Sequence, residues 1–176
     1  MLGALLHSPL PRLIPIGLVL LALQKTLFVE IQPFGVILQI VMAFAAAAGA
    51  AGGAERGMIA AFVLGIMFDL AVGTPLGSTA LAMGVAAYVA GWVDQIRIDT
   101  TWWLAAIFVG AGAGAGEATV PVIRRFTGEE DAFVADLATI VPVVAVGAAI
   151  VSIPLMPVAR WALGIAPPEW KIPVDA

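Results

Sequence analysis

The chain contains no cysteine and a single histidine, His7. Without cysteine it cannot form disulfides, thiolate metal sites or thiol nucleophiles. His7 precedes the first apolar run, so no histidine-based triad, metal pair or proton shuttle can be built within the runs that follow. The chain has eight Lys and Arg residues and no basic run, so the sequence indicates no binding surface for nucleic acid. These absences disfavour an enzyme and predict no cofactor, no metal site and no nucleic-acid partner.

Charge is scarce as well, since only 11% of the 176 residues are charged and 62% are hydrophobic. The mean hydropathy is +1.07, whereas a water-soluble domain of this size needs far more polar surface to cover its core. The composition therefore predicts one transmembrane helical domain over residues 1–176, surrounded by membrane lipid.

Long apolar runs without strand-like alternation predict helices. Measured against about 20 residues per bilayer crossing, the candidate spans are 13–29, 34–53, 57–72, 78–92, 101–120 and 133–160. Pro142 and Pro154 predict that the sixth span is kinked or ends early. Because the connectors are short, we expect an all-α membrane protein with a compact bundle of about six transmembrane helices.

An even number of spans places both termini on one side of the membrane. The basic residues on that side are Arg12, Arg56, Arg97, Arg160 and Lys171, and those on the other are Lys25, Arg124 and Arg125. The positive-inside rule favours the richer side as cytoplasmic. A multi-pass protein with both termini in the cytoplasm is the prediction.

Glycine and alanine supply small helix faces, which is how helices approach closely in lipid. In the fifth span Gly110 and Gly114 share one face, and Gly112 and Gly116 share another. Such faces are typical of tight packing within a bundle. They are equally suited to receiving a partner helix, and the sequence does not separate these two interpretations.

One carboxylate, Asp69 in "FDLAVGTPLG", stands inside an apolar run. Gly73 can adopt the left-handed conformation that ends a helix, and Pro75 cannot continue one, so Asp69 falls in the last helical turn. The helix macrodipole is negative there, and the carboxylate therefore needs a partner.

Two partners for Asp69 are within reach: Lys25 across the bundle, or the free backbone N–H groups at the start of the next helix, Ser78 to Ala80. We favour the second, because the short turn folds the chain straight back. Asp69 would then join the third and fourth spans, and Gly77 would allow close backbone approach.

Helix alternation places several ionisable residues at one membrane face, namely Lys25, Asp69, Glu117 and Asp136, near Arg124 and Arg125. For Glu117 we predict an interhelical hydrogen bond or an ion pair with Arg124 or Arg125. Alternatively, Lys25, Asp69 and Glu117 could line a small-molecule pocket.

The stretch "GMIAAFVLGIMFDLAVGTPLGSTALAMGVAAYVAG" resembles the signature region of the MreD family of bacterial rod shape-determining membrane proteins. A glycine-rich span, an aspartate, a short Pro and Gly loop and an apolar span with a tyrosine follow one another. The matching positions are Gly57, Gly65, Asp69, Pro75, Gly77, Leu81 and Tyr88. Likeness extends over roughly residues 13–91.

The resemblance implies a non-enzymatic inner-membrane subunit of the cell-wall elongation machinery. Its direct partner would be an MreC-like protein, and through it MreB filaments, the RodA glycosyltransferase and a class B penicillin-binding protein. The family's fold also resembles substrate-binding subunits of energy-coupling-factor transporters. A small-solute-binding transporter subunit is therefore the alternative function.

Overall fold

The computed structural model describes residues 10–95, 102–128 and 136–165. Five helices account for most of these residues: α1 Leu10–Thr26, α2 Ile40–Val72, α3 Ser78–Ala90, α4 Trp102–Phe126 and α5 Leu137–Leu163. Two 3-10 turns, Pro33–Gly35 and Gly91–Gln95, join them, and no strand occurs in these ranges. The predicted all-α class is confirmed. His7, Arg97 and Lys171 lie outside the described residues.

The longest helix, α2, is broken at Gly53, where φ is 77° and ψ is 168°. This backbone conformation is essentially restricted to glycine. A Cβ placed on Gly57 would meet the Cα of Gly49, so the arms at 40–52 and 54–72 fold back against each other. The break therefore turns five helices into six helical segments, in the order of the six apolar runs.

The first arm of α2 lies at the centre of the bundle. Every residue from Ile40 to Gly49 is buried, and α2 packs against each of the other four helices. A helix that is apolar on all sides needs this position, because it has no polar face to turn outward.

Glycine faces on α4 are occupied by neighbouring helices of the same chain. A Cβ on Gly110 would lie 2.7 Å from the carbonyl oxygen of Ala145 in α5, and one on Gly116 would lie 2.8 Å from that of Ala82 in α3. Gly112 likewise abuts the Ala86 carbonyl. The two faces pack against two different helices, which favours the bundle-packing interpretation for α4.

Several helix ends differ from the predicted span boundaries. The second segment starts at Ile40 and not at 34, because Pro33–Gly35 forms a 3-10 turn in which Phe34 has a φ of 56°. Helix α3 ends at Ala90, where the 3-10 turn takes over, and α4 continues to Phe126. Arg124 and Arg125 stand in the last turn of α4, where cations offset the negative end of the helix dipole.

The fifth helix does not end early. It continues through Pro142, Pro154 and Pro157 to Leu163, where Gly164 caps it in the left-handed conformation. A proline removes one backbone hydrogen bond, and packed apolar helices tolerate that loss because neighbouring groups compensate.

Two helices, Trp102–Phe126 and Leu137–Leu163, are long and apolar enough to cross a membrane.

The Nη1 of Arg12 in α1 donates a hydrogen bond to the carbonyl oxygen of Trp161 in α5 at 3.3 Å. The start of α1 and the end of α5 therefore lie at the same end of the bundle.

Candidate functional site

Asp69 is buried in the last turn of α2, with 1% of its surface exposed. The helix ends as predicted at Gly73, whose φ is 79° and whose N–H bonds to the Asp69 carbonyl oxygen at 2.8 Å. The residues that follow, through Ala80, wrap around the Asp69 side chain. Residues 69–80 are called the Asp69 turn below.

Five donors surround the Asp69 carboxylate. The Thr74 hydroxyl and the Thr79 N–H bond to Oδ1 at 2.7 and 3.1 Å. The N–H groups of Gly77 and Ala80 bond to Oδ2 at 2.8 and 3.4 Å. The Ser78 hydroxyl approaches Oδ1 at 3.5 Å. A carboxylate has about four acceptor positions, so this group is fully satisfied within the turn.

The backbone donors belong to the amino end of α3, as the dipole argument from sequence predicts. Free N–H groups at a helix start carry partial positive charge, and here they offset a carboxylate at the negative end of α2. Lys25, the alternative partner, is exposed in the last turn of α1. All five donors come from residues 74–80 instead.

Gly77 has a different role from the one predicted. A Cβ there would meet nothing within 4 Å, so close approach is not the reason for glycine. The reason is a φ of 93°, which turns the N–H of Gly77 toward Asp69. Sequence reasoning also missed the Thr74 and Ser78 hydroxyls, although hydroxyl residues flanking "PLG" beside an aspartate are a usable signal.

A second polar group lies at the start of the first arm of α2. Gln24 in α1 accepts a bond from the Ile40 N–H at 2.7 Å and donates one to the Leu38 carbonyl oxygen at 3.1 Å. Gln39 donates to Glu117 Oε2 in α4 at 2.9 Å. We call Gln24, Gln39 and Glu117 the glutamine cluster. It joins three helices through buried or half-buried amides and a carboxylate.

The interhelical hydrogen bond predicted for Glu117 is present, but its partner Gln39 was missed. A lone glutamine inside the predicted span 34–53 is the signal that could have found it. Arg124 also interacts electrostatically with Glu117, and Arg125 is exposed. Helix alternation thus brings Glu117 and Arg124 to the same end of the bundle as the Asp69 turn.

Arg124 borders a groove beside the Asp69 turn, together with Thr74, Ser78 and Thr79. The groove has a volume of about 30 Å³, which is enough for about one water molecule. Pockets that bind small molecules measure about 300–1,000 Å³. The groove is therefore too small for a solute.

At this end of the molecule, the polar side chains form hydrogen bonds between helices. Within the three described ranges, no three His, Cys, Asp or Glu side chains come together as a metal site. The Asp69 oxygens are already occupied by donors from the turn. What the arrangement provides is a fixed geometry between α2 and α3.

A larger cavity, of about 490 Å³, lies at the other end of the bundle between α4 and α5. Trp102, Ser152, Arg160 and Trp161 line it together with apolar side chains, and Asp69, Glu117 and Lys25 do not. The predicted grouping of those three residues around a solute pocket is thus not seen in the described residues.

Comparison of the chain with protein-family models, curated proteins and solved structures gives no match. Its function therefore has to be inferred from the residues and their geometry.

Proposed function

We propose that the chain is a multi-pass membrane protein whose six helical segments lie within the bilayer. Twelve charged residues fall in the described ranges, and all but Glu117 stand in a connector or within about one turn of the end of a helix or arm. Glu117 is buried and hydrogen-bonded. In a hydrocarbon environment, charged residues are favoured at the ends of helices, and a charged residue inside the bundle needs a hydrogen-bond partner.

The outward side chains support the same placement. Large apolar residues more than half exposed occur on several helices: Leu18, Val19, Ile59, Leu70, Ile107, Val146, Ile150 and Ile153. A soluble monomer rarely leaves so many large apolar side chains in water. In a bilayer the same side chains face lipid.

The short first arm of α2 fits this placement if it begins below the membrane surface. Residues 40–52 span about 20 Å at 1.5 Å per residue, less than the roughly 30 Å hydrocarbon core. Backbone groups at that depth need protein partners. Gln24 supplies them at Leu38 and Ile40, and the residues before Ile40 would fill the remaining depth.

The described ends of the chain are proposed to face the cytoplasm of a bacterial inner membrane. Arg12 and Arg160 lie at the end where α1 begins and α5 finishes. The sequence count of basic residues favours this side over the one with Lys25, Arg124 and Arg125.

We infer that the protein is a non-enzymatic subunit of the cell-wall elongation complex, of the MreD kind. The Asp69 turn carries this inference, because three of the seven positions of the resemblance motif lie in it. Asp69 is the acceptor, Gly77 is a donor, and Pro75 lies between them. A helix hairpin fixed in this way would present a defined surface to an MreC-like partner, which in turn connects MreB filaments, RodA and a class B penicillin-binding protein.

Co-purification tests this proposal. The chain and an MreC-like protein from the same organism are co-expressed, and the tagged chain is purified in mild detergent. Co-elution of the two in size-exclusion chromatography is expected, with reduced recovery for Asp69→Asn. Asp136→Asn, an exposed change near the same end, serves as the matched control. Failure to co-elute, together with a tightly bound solute, would contradict the proposal.

The second candidate function, a solute-binding transporter subunit, is favoured by the cavity of about 490 Å³, whose volume lies in the range of ligand pockets. Its polar lining among described residues is sparse, however, since the Ser152 hydroxyl already donates to the Ala149 carbonyl oxygen. A thermal-shift screen with vitamins and metal ions distinguishes the candidates. Stabilisation by one such solute would favour the transporter subunit.

A further inference from the structure

The cavity between α4 and α5 extends to the end of the bundle where Arg12 and Arg160 lie, and this end is called its mouth below. Trp102 stands at the first position of α4, and Arg160 and Trp161 stand in the last turn of α5. All three line the cavity. Its mouth is therefore built from indole and guanidinium groups, the side chains that favour a membrane–water boundary.

Deeper in, the walls are apolar. Ala105, Ile153, Met156 and Pro157 line this part. Ser152, the other lining residue there, stands two helical turns from Arg160, which corresponds to about 12 Å along the axis. Its hydroxyl is engaged with the backbone of its own helix. The cavity thus changes from cationic at the mouth to apolar inside.

Arg12 and Arg160 both lie next to Trp161. Arg12 donates to the Trp161 carbonyl oxygen at 3.3 Å, and its Cζ lies 5.6 Å from the centre of the indole ring. Arg160 precedes Trp161 and is half-buried, and its guanidinium makes no hydrogen bond or ion pair with any residue in the described ranges. A guanidinium beside an apolar cavity is suited to binding an anion, and its planar donors match phosphate.

We propose that this cavity binds an anionic phospholipid of the cytoplasmic leaflet. The lipid phosphate contacts Arg160, with Arg12 adding positive charge at the rim, and an acyl chain lies along the apolar walls formed by α4 and α5. Anionic lipid is the occupant that matches both parts of the cavity, and basic pockets between helices at the cytoplasmic side bind such headgroups. The inference rests on the membrane placement proposed above and is independent of the cell-wall role.

Native mass spectrometry of the full chain, released from detergent, tests the proposal. The protein is incubated with dioleoyl phosphatidylglycerol or with dioleoyl phosphatidylcholine, which carry the same acyl chains. Wild type is expected to retain one phosphatidylglycerol in preference to phosphatidylcholine. Arg160→Gln should bind phosphatidylglycerol about fivefold more weakly, equivalent to about 1 kcal/mol for one arginine near an anionic lipid.

Arg125→Gln is the matched control, because Arg125 is an exposed arginine in the last turn of α4 at the other end of the bundle. Its affinity should equal that of wild type. Equal retention of both lipids by wild type would overturn the proposal whether or not Arg160→Gln folds. Equal affinity of folded Arg160→Gln and wild type would overturn it too.

A third measurement distinguishes binding of the lipid from binding of a soluble anion. Glycerol 3-phosphate at the same concentration should not displace phosphatidylglycerol; if it does, the site takes a water-soluble phosphate and the lipid proposal is wrong. Co-elution with the MreC-like protein is measured on the same preparations. Intact co-elution without lipid selectivity would overturn the lipid site alone.

Discussion

The N–H of Gly77 donates a hydrogen bond to Asp69 Oδ2 at 2.8 Å, and the two residues are eight positions apart in the sequence. The bond joins the last turn of α2 to the residue that caps α3. Because the carboxylate also accepts from Thr79 and Ala80, the ends of the two helices cannot separate without depriving a buried carboxylate of its hydrogen-bond donors. The angle between α2 and α3 is thus tied to one side chain.

Replacing Asp69 by asparagine should weaken the whole Asp69 turn. The change keeps the size but puts an NH2 group where an oxygen faces N–H donors. We expect the free energy of unfolding to fall by about 2–3 kcal/mol, since hydrogen bonds to charged groups contribute about 1.5–3 kcal/mol. Denaturant titration in detergent micelles measures this, with Asp136→Asn as the control. Equal stability of Asp69→Asn and wild type would show that the turn does not depend on the carboxylate.

Two hydroxyl deletions should differ in cost, and deleting the hydroxyl nearer to Asp69 should cost more. Thr74 donates at 2.7 Å and Ser78 at 3.5 Å, and the longer contact is near the limit of a hydrogen bond. Thr74→Val should cost about 1.5 kcal/mol and Ser78→Ala less than about 0.5 kcal/mol. Thr74→Ser, which retains the donor, should restore most of the loss. A larger effect for Ser78→Ala would contradict this geometry.

The break in α2 gives a third prediction. Gly53 has a φ of 77° with a ψ of 168°, a region closed to residues with a Cβ, and a Cβ there would also lie 3.2 Å from Asp94 Oδ2. Gly53→Ala should therefore cost about 3 kcal/mol, at the upper end for such strain. Gly73→Ala is the comparison, because its left-handed conformation costs about 1–2 kcal/mol and nothing crowds its Cβ.

The folded fraction of each glycine variant is read from the monodisperse peak in size-exclusion chromatography and then from denaturant titration. Gly53→Ala should show a smaller folded fraction and a lower free energy of unfolding than Gly73→Ala. The reverse order would mean that the two arms of α2 do not need the break at Gly53.

The sequence was sufficient to predict features that depend on local physics. Apolar runs predicted the six helical segments, glycine spacing predicted the two faces of α4, and dipole direction predicted the backbone partners of Asp69. These features depend on residues close along the chain or on one helix. The cell-shape role and the six membrane crossings remain predictions.

Features that depend on tertiary geometry were missed or wrong. Gln39 and Glu117 meet across 78 positions of sequence, so no local pattern pairs them. The start of α2 at Ile40 is set by the turn at Phe34 and by Gln24 from another helix. Likewise, nothing local shows whether the glycine at 77 serves close approach or a positive φ, because both require the same residue.

The Gln39–Glu117 hydrogen bond gives the last prediction. Replacing Gln39 by leucine should cost more stability than replacing Glu117 by glutamine. Gln39→Leu leaves the Glu117 carboxyl, which is buried, without this 2.9 Å donor, and an unsatisfied buried polar group costs about 1–3 kcal/mol. Glu117→Gln keeps an acceptor oxygen at the same place, so its cost should stay below about 1 kcal/mol. The double variant Gln39→Leu with Glu117→Leu should recover part of the loss, because removing both partners of a buried bond is less costly than removing one. Free energies of unfolding for wild type, Gln39→Leu, Glu117→Leu and the double variant measure the coupling, and strictly additive losses would show that the two side chains do not depend on each other.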